Sequence, residues 1–369
     1  MFAYIGWTGH NNLGDDAIAV ALRGALAPAH MVDVPLYPRE IARSLGSSTR
    51  QNLRGAYPLL GGGTVIGRTN WRLHVNTAFA FTATRPAFMI GAGVEDPRFV
   101  GKHSFSKHGE MARWAKTLSP FDRVTVRGPQ SAKLLGDIDI DCEVVGDPAL
   151  LLNISEAPAT GQGYRPAVGF SLGYGDDLWG HDHDRVIRHA AASMCQLAQQ
   201  GLTIKLLVVN PGDHQFAVKA QFLSGLDSQR CEIVNAFTVD TFVPAVQSCS
   251  LIVAERLHAG ILAVAAGVPC VMLEYQPKCA DFMASINRDD FCLRTDHLHS
   301  AMITSRITEI MANYDSHIHA NNTARDVLRS RLFACIDRIC DVANVAPRNT
   351  RTSSVMPDTV AVPTPRVLL

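Results

Sequence analysis

The sequence lacks several features that would place it in a specialised class of protein. No apolar run reaches the ~18 residues needed to span a bilayer, and the longest, from Gly260 to Leu273, is interrupted by Pro269. Net charge is absent, because 34 lysines and arginines balance 34 aspartates and glutamates, which argues against nucleic acid as a partner. The nine cysteines contain no Cys-x-x-Cys pair, so we expect reduced thiols and no metal site.

The start of the sequence and its length give the first positive expectations. Residues 1–6 have neither a basic region nor a long apolar core, and they predict a first strand instead of a signal peptide. A chain of 369 residues exceeds one ordinary hydrophobic core and predicts two domains. We expect a cytoplasmic protein with no transmembrane segment, and the inner face of the membrane is an alternative location.

Strand-like and helix-like segments alternate along the chain, which is typical of parallel sheets in an α/β protein. We predict two Rossmann-like domains that face each other across a cleft, at residues 1–154 and 166–345. Residues 155–165 are rich in turn formers and predict a linker that acts as a hinge. The last helical region, roughly 301–342, is a candidate for packing back across the first domain. Residues 346–369 show no periodicity and predict a disordered tail.

The most informative segment is Glu-Arg-Leu-His-Ala-Gly at residues 255–260. It follows a buried-looking strand and opens a helix that Gly267 and Pro269 end. Ligands bind at this edge of parallel sheets, and a helix N-terminus favours anions. Arg256 can grip a phosphate or carboxylate with two hydrogen bonds, and His258 can move protons near neutral pH. The alternative is a salt bridge for the arginine and a capping role for the histidine.

Two glycine-rich loops follow predicted strands of the first domain. The loop at residues 6–17 contains Gly9, Asn12, Asp15 and Asp16, and it suits sugar hydroxyls because two aspartates would repel a phosphate. The loop at residues 60–64 contains Gly61, Gly62 and Gly63, which would let a ligand approach the bare backbone. The alternatives are a capped helix start for the first loop and a flexible turn for the second.

Other candidate residues lie at the ends of further predicted strands. Arg127 follows the fifth strand, and Lys278, which follows the strand after the Arg256 helix, would join Arg256 in holding an anion. A solvated lysine is the alternative for Lys278. Asp213 is a plausible helix N-cap. The pair His181 and His183 lacks the further ligands that a metal site requires.

Together these segments resemble the polysaccharide pyruvyl transferase family over residues 1–285. The motifs are Gly-x-x-Gly-x-x-Asn-x-Gly-Asp-Asp-Ala at 6–17, Gly-Gly-Gly at 61–63, Val-Arg-Gly-Pro-x-Ser at 126–131, Gly-Asp-Pro-Ala at 146–149, and Arg-Leu-His-Ala at 256–259 followed by Gly-Val-Pro at 267–269 and Tyr-x-Pro-Lys at 275–278. The Arg-Leu-His-Ala segment with its downstream Gly-Val-Pro is the most specific part.

The resemblance implies a GT-B-like fold and a transfer reaction in polysaccharide biosynthesis. Phosphoenolpyruvate would be the donor and co-substrate, with no further cofactor and no metal. The acceptor would be a sugar or lipid-linked oligosaccharide with two free hydroxyls, in an exopolysaccharide or cell-envelope glycan. The products would be a pyruvate ketal on the glycan and phosphate.

The resemblance also implies roles for particular residues. Arg256 and His258 match the arginine and histidine linked to donor binding and acid/base work, with Arg127 and Lys278 as further donor-binding cations. The acceptor would bind on the first domain, at the two glycine-rich loops. The chain departs from the family at residues 61–64, where a fourth glycine is missing, and at residues 171–173, where many members carry an arginine and this chain has Ser-Leu-Gly.

Two other classes of function are compatible with the same predicted fold. A GT-B nucleotide-sugar glycosyltransferase would bind a nucleotide in the second domain. A non-catalytic glycan-binding protein of the same fold would tolerate the loss of Arg256 and His258.

Overall fold

The computed structural model describes residues 1–45, 48–83, 86–99, 109–155, 166–173, 175 and 177–345. The predicted tail at 346–369 and the predicted linker after Ser155 lie outside the described residues. Two parallel sheets with helices between their strands carry the fold, which confirms the α/β class with two Rossmann-like units.

The first half is built around a four-stranded parallel sheet. Its elements in chain order are β1 (Phe2–Ile5), α1 (Leu13–Ala25), β2 (Met31–Asp33), α2 (Pro38–Leu45), α3 (Ser48–Arg54), β3 (Tyr57–Gly61), β4 (Thr64–Ile66), α4 (Thr69–Thr82), β5 (Phe88–Ile90), β6 (Gly93–Val94), α5 (Glu110–Leu118), β7 (Thr125–Val126), α6 (Pro129–Gly136) and β8 (Glu143–Val144). The strand order is β2-β1-β3-β5, and β4 with β6 and β7 with β8 form two short parallel pairs. A 3-10 turn at Pro148–Leu151 closes this half.

The second half contains a six-stranded parallel sheet and the remaining helices. Its elements are β9 (Ala167–Ser171), α7 (His183–Gln199), β10 (Thr203–Val208), α8 (His214–Ser224), β11 (Cys231–Asn235), α9 (Val239–Gln247), β12 (Leu251–Ala254), α10 (Leu257–Ala265), β13 (Cys270–Glu274), α11 (Pro277–Ser285), β14 (Cys292–Arg294), α12 (Ser300–Ala312) and α13 (Tyr314–Val342). The strand order is β11-β10-β9-β12-β13-β14. The chain order reverses between β9 and β12, and open α/β sheets bind ligands at the carboxyl ends of such strands.

Arg256 lies in the strand–helix–strand unit β12–α10–β13, and this unit has the structure that its local sequence predicts. Every residue of β12 and β13 is buried, as the apolar runs of these strands predict. Most of α10 is buried as well, and Gly267 follows it with a φ of +77°, a conformation that favours glycine. Arg256 occupies the N-cap position of α10. The arginine is therefore fixed at the carboxyl edge of the sheet.

The last helix reaches back to the first half. The helical region expected at 301–342 is divided at Asn313 into α12 and α13. From α13, Arg338 pairs with Asp122 at 2.7 Å, and Arg331 donates a hydrogen bond to the carbonyl of Val144 at 3.1 Å. These contacts attach α13 beside the β5 and β8 side of the first half.

One apolar core joins the two halves. Phe2 and Phe88 of the first sheet belong to the same buried cluster as Phe170 of the second sheet and Leu332 and Ile336 of α13. A second cluster lies within the first half. The two sheets are thus parts of one packed body. Within the described part of the chain, no helix combines the length and apolar character needed to cross a membrane.

Candidate active site

A cleft of about 580 Å³ opens between the two halves. Both halves line it, and the side-chain amide of Asn210 donates a hydrogen bond to the carbonyl of Asn11 across it at 2.9 Å. The predicted site residues that the structure brings together in its lining are Asn12, Asp15, Gly63, Arg127, Arg256, His258 and Lys278. Gly9, Asp16, Gly61 and Gly62 do not line it.

Packing and loop geometry account for these four residues. A Cβ atom at Gly61 would lie 2.4 Å from the Tyr4 ring, and one at Gly62 would lie 2.5 Å from Ile18, so both glycines make room for core side chains. The backbone N–H of Gly9 donates to the Asp16 carboxylate at 2.8 Å, which shapes the loop before α1. In the loop at residues 60–64, the glycine that lines the cleft and could let a ligand approach the bare backbone is Gly63.

The helices α1, α4, α10 and α11 begin at the cleft. They differ in whether a side chain accepts a hydrogen bond from the backbone N–H groups at the helix N-terminus. The helix α1 is capped by Asn12, whose side chain accepts from the N–H of Gly14, and it carries two aspartates in its first turn. The helices α4, α10 and α11 have no side-chain cap hydrogen bond at their N-cap residues, Arg68, Arg256 and Gln276. Uncapped helix N-termini favour anions. The cleft therefore has three anion-favouring helix starts and one acidic start.

Arg256 is held in place by Asp213. Its Nε and Nη2 donate to the two carboxylate oxygens of Asp213 at 2.8 and 2.5 Å. Burial lowers the pKa of Arg256, but the hydrogen bonds and charge of Asp213 outweigh this and raise it overall. Asp213 is the N-cap residue of α8, as predicted, but its side chain makes no cap hydrogen bond and binds the arginine instead. Arg256 is thus a charged group with a fixed orientation.

The same aspartate limits which residue can occupy position 173. A Cβ atom at Gly173 would lie 2.3 Å from the Asp213 carboxylate carbon. Position 173, in the segment where the resemblance implied an arginine, therefore has no room for a side chain. Its backbone N–H donates instead to the buried carboxylate of Glu255 at 2.9 Å, and His183 contacts that same carboxylate at 3.1 Å.

His258 projects from the first turn of α10 against α1. A Cβ atom at Gly14 would lie 1.9 Å from its Nδ1, so the ring occupies the space that this glycine leaves. Burial lowers the pKa of His258 to about 4; Asp147 raises it, whereas Arg127 and Lys278 lower it. The imidazole is therefore neutral near pH 7.

Unsatisfied polar atoms converge at the base of the cleft. The guanidinium of Arg127 is 1% exposed, with Nη1 at 3.7 Å from Asp147 and Nε at 3.8 Å from Asp281. His258 Nε2 lies 3.8 Å from the same Asp147 oxygen. Among the described residues, Arg127 Nε and Nη1, Asp147 Oδ2 and His258 Nε2 are buried without a hydrogen bond. Such groups are rare in folded proteins and indicate a place where a ligand completes the hydrogen bonding.

Two further groups in the cleft titrate near neutrality. Burial lowers the pKa of Lys278 to about 7, and Arg68 and Arg127 lower it as well. Burial raises the pKa of Asp15 to about 7, although Lys278 opposes the shift. Perturbed pKa values of this kind cluster at functional sites. A lysine and an aspartate therefore share the cleft in mixed protonation states at pH 7.

Sequence reasoning missed several residues of the site. Arg68 lines the cleft and pairs with Glu95, but it follows β4, a strand too short to show a pattern. Asp147 belongs to the Gly-Asp-Pro-Ala motif at residues 146–149, but the sequence predicted no role for it. Asp281 is buried on α11, where it accepts from Ser131 Oγ at 2.6 Å. A polar residue on the buried face of a helix was the available signal for Asp281.

Comparisons with known proteins agree with this arrangement. A sequence profile of the polysaccharide pyruvyl transferase family matches residues 12–277. A search of curated protein sequences finds no match.

Several solved structures are similar in fold. The S. aureus MnaA–UDP co-structure is 12% identical, covers 90% of this chain and 94% of its own, and has a TM-score of 0.59. A putative UDP-N-acetylglucosamine 2-epimerase from Listeria monocytogenes is 11% identical, with coverages of 92% and 94% and a TM-score of 0.58. The UDP-GlcNAc 2-epimerase from Neisseria meningitidis, bound to UDP-GlcNAc, is 15% identical, with 84% of each chain covered and a TM-score of 0.53. These similarities confirm the GT-B-like fold and carry no further statement about function.

Two glycines of α1 give a matched pair of substitutions. Gly14→Ala forces a methyl group into the His258 ring, and we expect a loss of roughly 1–3 kcal/mol in the free energy of unfolding. Gly24→Ala on the same helix meets no atom within 4 Å, and the better helix propensity of alanine predicts a gain of up to about 1 kcal/mol. Urea unfolding of both variants measures the difference. Equal changes in the free energy of unfolding would show that the His258 ring does not pack against Gly14.

The pKa of His258 predicts a pH dependence of stability. Its value of about 4 in the folded chain lies below the ~6.5 of an unfolded histidine. The unfolded chain therefore binds more protons between these values, and the folded state loses stability as pH falls from about 6.5 toward 4. We expect His258→Gln to remove up to about 3 kcal/mol of this loss.

The measurement is urea unfolding of wild type and His258→Gln at pH 7 and pH 4.5. The raised pKa of Asp15 acts with the opposite sign, but it is present in both proteins and so cancels in the comparison. Parallel losses in the two proteins would contradict a neutral buried His258.

Proposed function

The chain belongs to the polysaccharide pyruvyl transferase family, and from this premise we propose that it transfers the enolpyruvyl group of phosphoenolpyruvate onto two hydroxyls of a glycan sugar. The products are a pyruvate ketal and phosphate. The observation that carries the proposal is the base of the cleft, where Arg127, Arg256 and Lys278 line the same cavity as His258 and two buried nitrogens of Arg127 lack hydrogen-bond acceptors.

The donor carries a phosphate and a carboxylate on the same carbon atom, and the cations that line the cleft match this charge. Arg256 presents a guanidinium that Asp213 has already oriented. Arg127 has two nitrogens without acceptors at the base of the cleft. Guanidinium groups are better suited than ammonium groups to planar oxyanions. We assign the donor to Arg127, Arg256 and Lys278 near the N-terminus of α10.

Two titratable groups share the proton transfers, with His258 as the base and Asp15 as the acid. One sugar hydroxyl attacks the carbon that bears the phosphate ester, and neutral His258 accepts its proton. Asp15 has a pKa of about 7, so a large share of it is protonated at neutral pH, and it supplies the proton that the methylene carbon gains. The C–O bond to phosphate then breaks, the second hydroxyl attacks the same carbon, and its proton leaves with the phosphate. Exchange through solvent then moves a proton from His258 to Asp15, which restores both groups for the next turnover. No electrons are gained or lost overall.

The direct test is incubation of the protein with phosphoenolpyruvate and a panel of glycans. Phosphate release together with a ketal on the glycan, identified by mass spectrometry and by the methyl signal in NMR, supports the proposal. Binding of UDP-sugars with no binding of phosphoenolpyruvate would overturn it in favour of a nucleotide-sugar glycosyltransferase. Binding of glycans without turnover would favour a non-catalytic protein.

Arg256→Lys separates donor binding from folding. A lysine keeps the charge but cannot bind Asp213 through two nitrogens and also present a planar fork to the donor. We expect the KM for phosphoenolpyruvate to rise at least about tenfold, equivalent to ~1.4 kcal/mol, with a small change in melting temperature. The exposed Arg188→Lys is the control for the substitution itself. A large stability loss with an unchanged KM would make the arginine structural.

His258→Ala separates proton transfer from binding. Loss of a general base acts on the transition state, so we expect kcat to fall by about 10²–10⁴-fold with little change in the KM for the donor. His297→Ala, at a side chain that is 75% exposed and outside the cleft, is the control. Steady-state kinetics in both substrates provides the measurement. Unchanged turnover would reassign the acid/base work to Asp15.

A further inference from the structure

Five aromatic rings form a wall along the first-half side of the cleft, and the donor chemistry does not use them. This aromatic wall consists of Trp7, His10, Tyr37, Trp71 and His74, all of which line the cleft. The ring centroids of Trp7 lie 4.2 Å from His10, 5.8 Å from Tyr37 and 6.3 Å from Trp71. Trp71 lies 5.5 Å from His74. The rings therefore form one continuous surface.

Trp71 packs against the edge of the first-half core, but none of the five rings is fully buried. The buried residues of α4 are Val75, Ala78 and Thr82, whereas Trp71 lies in the first turn of the helix and is only half-buried. Tyr37 is 38% exposed. The wall is assembled from three separate segments, which are the loop before α1, the loop before α2 and the start of α4. Clustered, partly exposed aromatic rings in a cleft indicate a binding surface.

The polar groups beside the wall narrow the kind of ligand. Asn12, Asp15 and Asn70 line the same side of the cleft, and they offer hydrogen-bonding atoms with no positive charge. A pyranose ring has a flat face of C–H groups, which packs on an aromatic ring, and a rim of hydroxyls, which suits amides and carboxylates. Arg68, at the N-cap of α4, is neutralised by an ion pair with Glu95, and a phosphorylated ligand is better served by the cations of the second half.

We infer that the aromatic wall is the acceptor subsite, where a neutral pyranose at the end of the glycan stacks on Trp71 and Trp7. Its hydroxyl rim then faces Asp15 and Asn12, which line the same cleft as the wall and His258. The inference rests on the proposed function for the identity of the reaction, and it adds the class of acceptor and the residues that select it. Stacking holds the sugar face, so the two attacking hydroxyls lie on the rim.

Saturation-transfer NMR with sugars tests the subsite without turnover. The probes are methyl β-D-galactopyranoside, methyl β-D-glucopyranoside, lactose and cellobiose. We expect saturation of the protein aromatic protons to reach the ring C–H protons of at least one probe. Trp71→Ala and Trp7→Ala should each weaken binding of that probe at least about tenfold, and Trp71→Phe should restore part of it because a ring remains.

Phe222→Ala is the matched control, since this aromatic side chain is 82% exposed on α8 and does not line the cleft. Binding of phosphoenolpyruvate is measured in every variant, and the wall variants should retain it. Trp71→Phe and Trp7→Ala remain informative if Trp71→Ala does not fold.

The outcomes separate the subsite from the reaction. Sugar binding that is absent from wild type, or is unchanged in the tryptophan variants, would overturn the subsite even if phosphate release from phosphoenolpyruvate continues. Sugar binding that depends on Trp71 supports the subsite even where no phosphate is released, and in that case the proposed reaction alone fails.

Discussion

The buried guanidinium of Arg127 is the constraint around which the two halves and the cleft are arranged. A buried cation needs opposite charge close by, and Arg127 has it from Asp147 of the first half and Asp281 of the second. Asp281 also accepts hydrogen bonds from two backbone N–H groups at the start of α6. Gly128 must lack a side chain, because a Cβ atom there would lie 2.2 Å from the carbonyl oxygen of Asp281. One charge network therefore joins the halves at the depth where the donor is proposed to bind.

The charges of the cleft are arranged so that an incoming anion changes the protonation of its surroundings. Burial and neighbouring cations hold Lys278 and His258 partly or wholly neutral near pH 7. Negative charge close to such groups favours their protonated forms. Donor binding would thus draw protons into the second-half side of the cleft. Asp15, on the capped and acidic side, is partly protonated near pH 7 because burial raises its pKa to about 7.

Local sequence determined the backbone at the site, and tertiary contacts determined its side-chain partners. The strand predicted before residue 255 is observed as β12, because an apolar run before a helix start is a short-range signal. The strands β4 and β6, of three and two residues, are too short to produce a pattern. The pairing of Arg256 with Asp213 joins residues 43 positions apart, and the sequence placed both at strand ends without linking them. The same limit applies to Gly61 and Gly62, since a glycine that contacts a ligand and one that faces a core side chain look alike in a single sequence.

The position of α13 has a consequence for how the molecule is made. This helix supplies Leu332 and Ile336 to the core that contains Phe2 and Phe88, yet it is the last helix of the described chain. During synthesis the amino-terminal strands leave the ribosome first, and their apolar surface stays uncovered until α13 has emerged. Exposed surface of this kind promotes misassembly in large proteins. Translation rate and chaperone protection therefore bear on the yield of this protein.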